Sequence, residues 1–284
     1  MGGECAGTVS FYSAENKNIK HLKNGWKLND KNYKEITDQE IFEMIQNINE
    51  RPLLYSDKEL RLSLAGAQEK ISLAFFNNKW HLPINGAPST HILKPTRTGA
   101  LSTIAANEYI CMQLAKNMKM QVPETQLIYI EDIPVFVCER YDRKLNIDEN
   151  RIERIHQEDF CQALCVMSDN KYQADGGPSY SDCLKLIQNT SSNPLQDTSK
   201  FLKSILFNYL IGNCDAHAKN YSLITTEGKI YLSPLYDLVS TTIYKSLTQK
   251  MAMKNGTEYD IEKITRSDFT KQAELCGIKP RFCR

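Results

Sequence analysis

Leu210-Ile-Gly-Asn-Cys-Asp-Ala-His-Ala-Lys-Asn220 is the stretch whose reading decides the fold. Within it Asp215 and Asn220 are separated by four residues, the spacing of a phosphoryl-transfer catalytic loop. Such chemistry needs a carboxylate to orient an attacking hydroxyl and take its proton. It also needs hard oxygen ligands for Mg2+, which Asp and Asn supply. The plainer alternative is that Asp215 caps a turn and Asn220 is an ordinary loop residue, because a bare Asp-x4-Asn arises often by chance.

The flanks weigh toward chemistry. Upstream, Thr198 to Ile211 has helical periodicity, with Phe201, Leu202, Ile205, Leu206, Tyr209 and Leu210 on one face. Gly212 suits the stop of that helix. Downstream, Tyr221 to Thr225 and Lys229 to Ser233 flank Glu227-Gly228 as a hairpin. Pro234-Leu-Tyr-Asp237 follows, and Asp237 stands where a kinase places the aspartate that binds Mg2+ between the phosphates. Before the long helix, Asp159 to Val166 and Tyr180 to Gln188 read as helices, broken by Asp175-Gly-Gly-Pro178.

Residues 60 to 140 have another texture, strand-like with one helix. Ile71 to Phe76 reads as a strand, Asn77-Asn78 as a turn, Trp80 to Pro83 as a return strand, and His91 to Lys94 as a further strand. Ser102 or Thr103 opens a helix with Ala106, Tyr109, Ile110 and Leu114 at helical spacing. Gln126 to Ile130 and Pro134 to Cys138 pair around Glu131-Asp132. Lys94 ends its strand, where an ammonium can neutralise nucleotide phosphates as a point charge. Glu108, on the following helix, is its candidate partner. Ser63 to Lys70, rich in small residues, is a candidate phosphate cradle, although one glycine makes the signal weak and a plain turn is the simpler reading. The backbone of Glu139, Arg140 and Tyr141 could bond adenine where the apolar strand ends. Ahead of this, residues 1–54 are polar and mixed, with one short helix capped by Asp38 and presenting Ile41, Phe42, Met44 and Ile45.

Composition bounds the answer. The chain has 284 residues, 41% hydrophobic and 24% charged, as in ordinary globular proteins. A formal net charge of +1 gives no global field for nucleic acid or acidic lipid. Nine cysteines and five histidines show no zinc spacing. Most of the cysteines sit in apolar stretches and read as small buried thiols, which suits a reducing, cytoplasmic compartment. No apolar run approaches the roughly 18 residues of a membrane span, and no signal peptide is visible.

Together the motifs resemble the HipA family of toxin Ser/Thr kinases. The residues that carry the resemblance are Leu62 to Lys70, His91 to Lys94, Asn107-Glu-Tyr109, Glu139 to Arg143, Gln157 to Gln162, Asp175 to Pro178, Leu210 to Asn220, Pro234 to Asp237 and Met251-Ala-Met253. The resemblance implies an α+β, two-lobed, protein-kinase-like fold of the HipA type. Its small β-rich N-lobe with one helix would be residues 55–141, for nucleotide binding. Its larger, mainly helical C-lobe would be residues 142–284, for catalysis. Residues 1–54 would be an extension, the remnant of the family's N-terminal subdomain.

The same resemblance implies ATP and Mg2+ as cofactors. Asp215 becomes the base, and Asn220 and Asp237 the Mg2+ ligands. The ATP-binding residues become Ala65, Gly66, Ala67, Gln68, Glu69, Lys70, Lys94, Glu108, Glu139, Arg140, Tyr141, His217 and Lys219. Ser63 matches the serine that autophosphorylates. The implied acceptor is a serine of an aminoacyl-tRNA synthetase, glutamyl or tryptophanyl, whose modification halts translation. The short, three-component form of the family further implies two partners. One is a small HipS-like protein supplying the missing N-terminal subdomain, and the other a HipB-like DNA-binding antitoxin, which gives contact with DNA only indirectly. Two competing functions are a small-molecule phosphotransferase of the aminoglycoside-kinase type and a non-catalytic pseudokinase binding module.

Overall fold

The structure is a computed structural model that describes residues 25–49, 70–96, 99–146 and 148–277. In chain order its elements are β1 (Trp26–Lys27), β2 (Tyr33–Ile36), α1 (Asp38–Asn49), β3 (Ile71–Phe76), β4 (Lys79–Pro83), β5 (His91–Pro95), α2 (Ile104–Asn117), β6 (Thr125–Ile130), β7 (Ile133–Glu139), β8 (Arg143–Asn146) and β9 (Arg151–Arg154). They continue with β10 (His156–Asp159), α3 (Phe160–Ala163), α4 (Tyr180–Thr190), α5 (Pro194–Leu210), β11 (Ser222–Thr226), β12 (Lys229–Leu232), β13 (Lys250–Asn255), β14 (Glu258–Asp260) and α6 (Arg266–Leu275).

The chain divides into two compact units. The described part of the first is residues 25–49, 70–96, 99–109, 123–146 and 148–157, and that of the second is residues 110–122 and 158–277. These bounds differ from the expected ones. The first unit runs past residue 141 because β8 and β9 form a hairpin that pairs with β1. Residues 26–49 join the first unit's sheet and core. Strand β2 is the edge of a six-stranded antiparallel sheet ordered β2-β4-β3-β5-β7-β6. Helix α1 buries Ile41 and Ile45 with Leu73, Leu93, Val135 and Val137 of that sheet, each worth about 1.5–3 kcal/mol of apolar burial. Its cap is Thr37 rather than Asp38. The Thr37 N–H donates to Glu40 Oε2 at 2.9 Å, and the Glu40 N–H donates to Thr37 Oγ1 at 3.2 Å, a reciprocal box. The turn between β3 and β4 places Asn77 and Asn78 at φ 53° and 59°, which asparagine tolerates better than most residues.

Two helices bury a different face from the one expected. In α2, Ile110 and Leu114 are 63% and 45% exposed, while Ile104, Ala105, Glu108, Cys111, Met112 and Ala115 are buried. In α5, Leu206 and Leu210 are 48% and 64% exposed, and the buried face carries Asp197, Phe201, Ser204, Ile205, Phe207 and Asn208. Polar residues hold that face because each has work inside the second unit. Asp197 Oδ2 accepts from Ser191 Oγ at 2.7 Å and from the Leu232 N–H at 2.8 Å, which ties the start of α5 to β12. Helix α5 begins at Pro194, four residues ahead of the expected Thr198, since proline fits a first-turn position. Helix α3 is one short turn, capped by Asp159 and Gln162, where a longer helix to Val166 was expected.

The core of the second unit is aromatic. Phe201 packs on Tyr221 at 4.9 Å between ring centroids, and Phe160 packs on both. Among the described residues no helix is long and apolar enough to cross a membrane. Cysteines 111, 161, 183 and 214 are buried free thiols, whereas Cys165 is exposed.

Candidate active site

The loop from Gly212 to Asn220 follows α5 directly and is pinned from both sides. Gly212 has φ +71°, a left-handed conformation that glycine adopts without strain. Its carbonyl accepts from the N–H groups of Thr241 and Thr242, at 2.9 and 3.1 Å. Thr241 Oγ1 accepts from the Cys214 N–H at 2.8 Å. Cys214 is buried with Met251 and Ile264. Asn213 Oδ1 accepts from the Asp215 N–H at 3.1 Å, and the His217 N–H donates to the Asp215 carbonyl at 2.8 Å. Ala216 and Ala218 are buried on alternate positions while Asp215 and Lys219 stay half-exposed. Small residues between the polar ones let the loop pack closely on the core.

Asn220 and Asp237 meet. Asn220 Nδ2 donates to Asp237 Oδ2 at 3.0 Å. Tyr221, next in the chain, is fixed in the aromatic core, and its hydroxyl accepts from Asn208 Nδ2 at 3.0 Å. Tyr236, which precedes Asp237, donates its hydroxyl to the Lys219 carbonyl at 2.8 Å. So each member of the pair is anchored by its neighbour. Asp237 itself has φ 59°, a left-handed geometry that costs a non-glycine residue about a kcal/mol or more and recurs at functional sites. Asn220 Oδ1 is buried without a hydrogen-bond partner. A leftover hard oxygen beside a carboxylate is the donor set a hard divalent cation prefers. Among the described residues no group of three or more His, Cys, Asp or Glu side chains could hold a metal by itself. A cation here would therefore complete its shell with water and substrate oxygens, as Mg2+ commonly does.

Around Asp215 the charges are mixed. Tyr172 donates its hydroxyl to Asp215 Oδ1 at 2.5 Å. Burial pulls the Lys171 ammonium below its usual range, while the attraction of Asp215 and Asp237 pushes the other way. Lys219 is paired with Asp159 at 2.9 Å. His217 is buried with no partner on either ring nitrogen. Burial first, then repulsion from Lys171, lowers it to about 3, so it is a neutral imidazole at physiological pH.

In the first unit Lys94 Nζ lies 2.7 Å from Glu108 Oε1, both side chains buried. Lys94 also stands 5.7 Å from the centroid of the Phe136 ring. The N–H groups of Glu139 and Arg140 are used internally, donating to the Glu124 and Thr90 carbonyls at 2.9 and 2.8 Å. The Arg140 side chain grips Asp142 through two bonds, at 2.9 and 2.8 Å, and Arg143 bonds the same carboxylate at 2.7 Å. The Arg140 side chain is thus held by Asp142 within its own unit. Lys70 is exposed at the start of β3. Ser63 and Ala65 to Glu69 lie outside the described residues.

Residues 62–284 match the model of the HipA-like C-terminal domain. The chain belongs to the HipA family. A Sinorhizobium fredii protein, Y4mE, provisionally named a kinase, is 35% identical over 98% of this chain and 65% of its own length. The serine/threonine-protein kinase toxin HipA of Shewanella oneidensis is 31% identical over 93% of this chain and 60% of its own. The chain thus spans less than two thirds of the length of these two relatives. Shewanella oneidensis HipA, solved with HipB and operator DNA, superposes with a TM-score of 0.85 at 28% identity, covering 99% of this chain and 66% of that one.

Within this HipA-family chain Asn220 and Asp237 meet in the unit that also holds Asp215, and Lys94 and Glu108 pair in the other. Tyr172, Lys171 and Asp159 were not foreseen. Tyr172 reaches Asp215 from 43 residues away in sequence, and no local spacing announces such a contact.

Proposed function

We propose that the chain is an ATP-dependent serine/threonine protein kinase of the toxin type. The observation that carries this reading is the Asn220–Asp237 pair at 3.0 Å, which leaves Asn220 Oδ1 unpartnered in the same unit as the half-exposed Asp215. Asp215 takes the proton of an acceptor serine or threonine hydroxyl. The freed oxygen forms its bond to the γ-phosphorus of ATP as the bond to the β–γ bridging oxygen breaks, and ADP leaves. Asn220 and Asp237 would hold Mg2+, which when bound neutralises charge on the phosphates. In the first unit, Lys94, oriented by Glu108, is assigned to the α and β phosphates.

The finer reading has three parts. The acceptor is a serine of an aminoacyl-tRNA synthetase, glutamyl or tryptophanyl. Ser63 is a site of self-phosphorylation, and a dianionic phosphate there repels ATP and lowers activity. The chain assembles with a HipB-like antitoxin, a partner supported by the Shewanella oneidensis relative solved with HipB, and with a small HipS-like protein. Labelled phosphate from ATP, offered to purified glutamyl- and tryptophanyl-tRNA synthetases, tests the acceptor. Label on a serine of either one supports the reading, and label on neither, from a chain that releases ADP, overturns that acceptor. Co-purification with the two co-expressed proteins tests the assembly.

A further inference from the structure

Tyr172 and the Asp175-Gly-Gly-Pro178 turn have no part in the chemistry above, yet they converge on Asp215. The hydroxyl of Tyr172 donates to Asp215 Oδ1 at 2.5 Å, a length expected of a charge-assisted O–H···O− bond. The Tyr172 ring sits edge-on to the His217 ring, with centroids 5.3 Å apart and planes at 78°. Lys171 Nζ stands 5.2 Å from the centroid of the same ring.

The backbone beneath the ring is held equally closely. The Tyr172 carbonyl accepts two bonds, from the Asp175 N–H at 3.0 Å and the Gly177 N–H at 2.9 Å. Gly176 has φ +89° and returns its N–H to the Gln173 carbonyl at 3.2 Å. A β carbon on Gly177 would meet the Asn170 carbonyl oxygen at 2.3 Å and the Tyr172 carbonyl oxygen at 2.7 Å. Both glycines are therefore required for different reasons, one for its dihedral and one for its lack of a side chain. Gln173 Oε1 then accepts from the Lys254 N–H at 2.7 Å, which fastens the turn to β13. A short, tightly packed turn is thus built around the main chain of one tyrosine whose hydroxyl touches the catalytic carboxylate.

We propose that Tyr172 is a positioning residue for Asp215. It holds the carboxylate by Oδ1 and so fixes the orientation in which Asp215 meets the acceptor hydroxyl. The glycine turn exists to place Tyr172. The inference rests on the kinase reading, in which Asp215 is the base. Its rival is a plug, in which Tyr172 occupies the place of the acceptor hydroxyl and must leave before reaction. The two differ in sign, since loss of a positioning bond slows turnover and loss of a plug speeds it.

The test uses the full chain with ATP, Mg2+ and casein as acceptor, and follows ADP release. Tyr172→Phe keeps the ring on His217 and removes only the hydroxyl. It is expected to lower kcat roughly 10–100-fold, the scale of a misaimed catalytic group, with KM for ATP within about twofold of wild type. Tyr172→Leu is expected to fall by the same factor. In an Asp215→Asn background, Tyr172→Phe is expected to cost nothing further, because the two residues act as one unit. A merely structural role would cost the same factor in both backgrounds. Gly177→Ala, which displaces the tyrosine from behind, is expected to lower kcat with KM for ATP kept, and it carries the test if Tyr172→Phe loses its cooperative melting transition. Wild-type or raised kcat in Tyr172→Phe overturns the inference while leaving the kinase reading in place. A wild type that releases no ADP overturns both.

Discussion

Gly212 is in contact with Thr242 so closely that a β carbon at 212 would lie 2.1 Å from Thr242 Oγ1. The contact lies at the start of the loop that carries Asp215 and Asn220. Gly212→Ala incurs left-handed strain and a clash together, about 2–4 kcal/mol of stability. Adding Thr242→Ala removes the Oγ1 and Cγ2 contacts and should return part of that loss, but not the part due to φ. Urea unfolding of the two variants measures the difference.

The Lys94–Glu108 pair separates structure from chemistry. Removing one partner of a buried pair leaves a charge poorly compensated and costs roughly 3–5 kcal/mol. Lys94→Met is therefore expected to be strongly destabilised, and Lys94→Met with Glu108→Leu to regain most of the loss. Neither should release ADP at the wild-type rate, because the lysine is assigned to the phosphates. A stable double variant with full activity would remove Lys94 from the reaction.

Burial lowers His91 to about 4 from its usual 6.5, between Phe75 and Trp80. Above pH 6.5 it is neutral whether the chain is folded or not. Between 6.5 and about 4 the unfolded chain takes up a proton that the folded one refuses. Stability is then full above 6.5 and falls as the pH drops, by up to about 1.4 kcal/mol per unit. His91→Phe, which keeps the ring contacts, should show a shallower fall. Urea midpoints at pH 6.5, 5.5 and 4.5 for both proteins decide it, and equal slopes would refute the assignment.

Asp237→Asn should raise the Mg2+ concentration needed for half-maximal ADP release on the order of tenfold or more, as loss of a direct ligand requires. Asn220→Ala should act in the same direction. Direct Mn2+ binding in the presence of ATP, followed by electron spin resonance, gives a readout independent of turnover.

Much of this was legible in the sequence for a physical reason. Asp215, Asn220 and Asp237 sit on a loop and behind a hairpin, where local spacing and turn chemistry dictate geometry. Gly212 announced the helix stop, and Asn77-Asn78 a tight turn. The burial of α5 was not legible. Its inward face carries Asp197, Ser204 and Asn208, whose partners lie on β12, in the chain around Ser191 and on Tyr221, so an apolar count chose Leu206 and Leu210 instead. Helix α2 misled in the same way, because Glu108 is buried by its pairing with Lys94. The Tyr172–Asp215 bond and the reach of the first unit to Gln157 depend on contacts distant in sequence, which periodicity does not record.

The most direct test of the central claim is ADP release from ATP by the purified full chain, wild type against Asp215→Asn, with Mg2+ and casein present as the acceptor. Asp215→Asn keeps the size of the side chain and removes the base. The account predicts turnover in the wild type and a loss of about 100-fold or more in the variant, with ATP affinity little changed. Equal turnover in the two proteins, with contaminating kinases excluded, would contradict it.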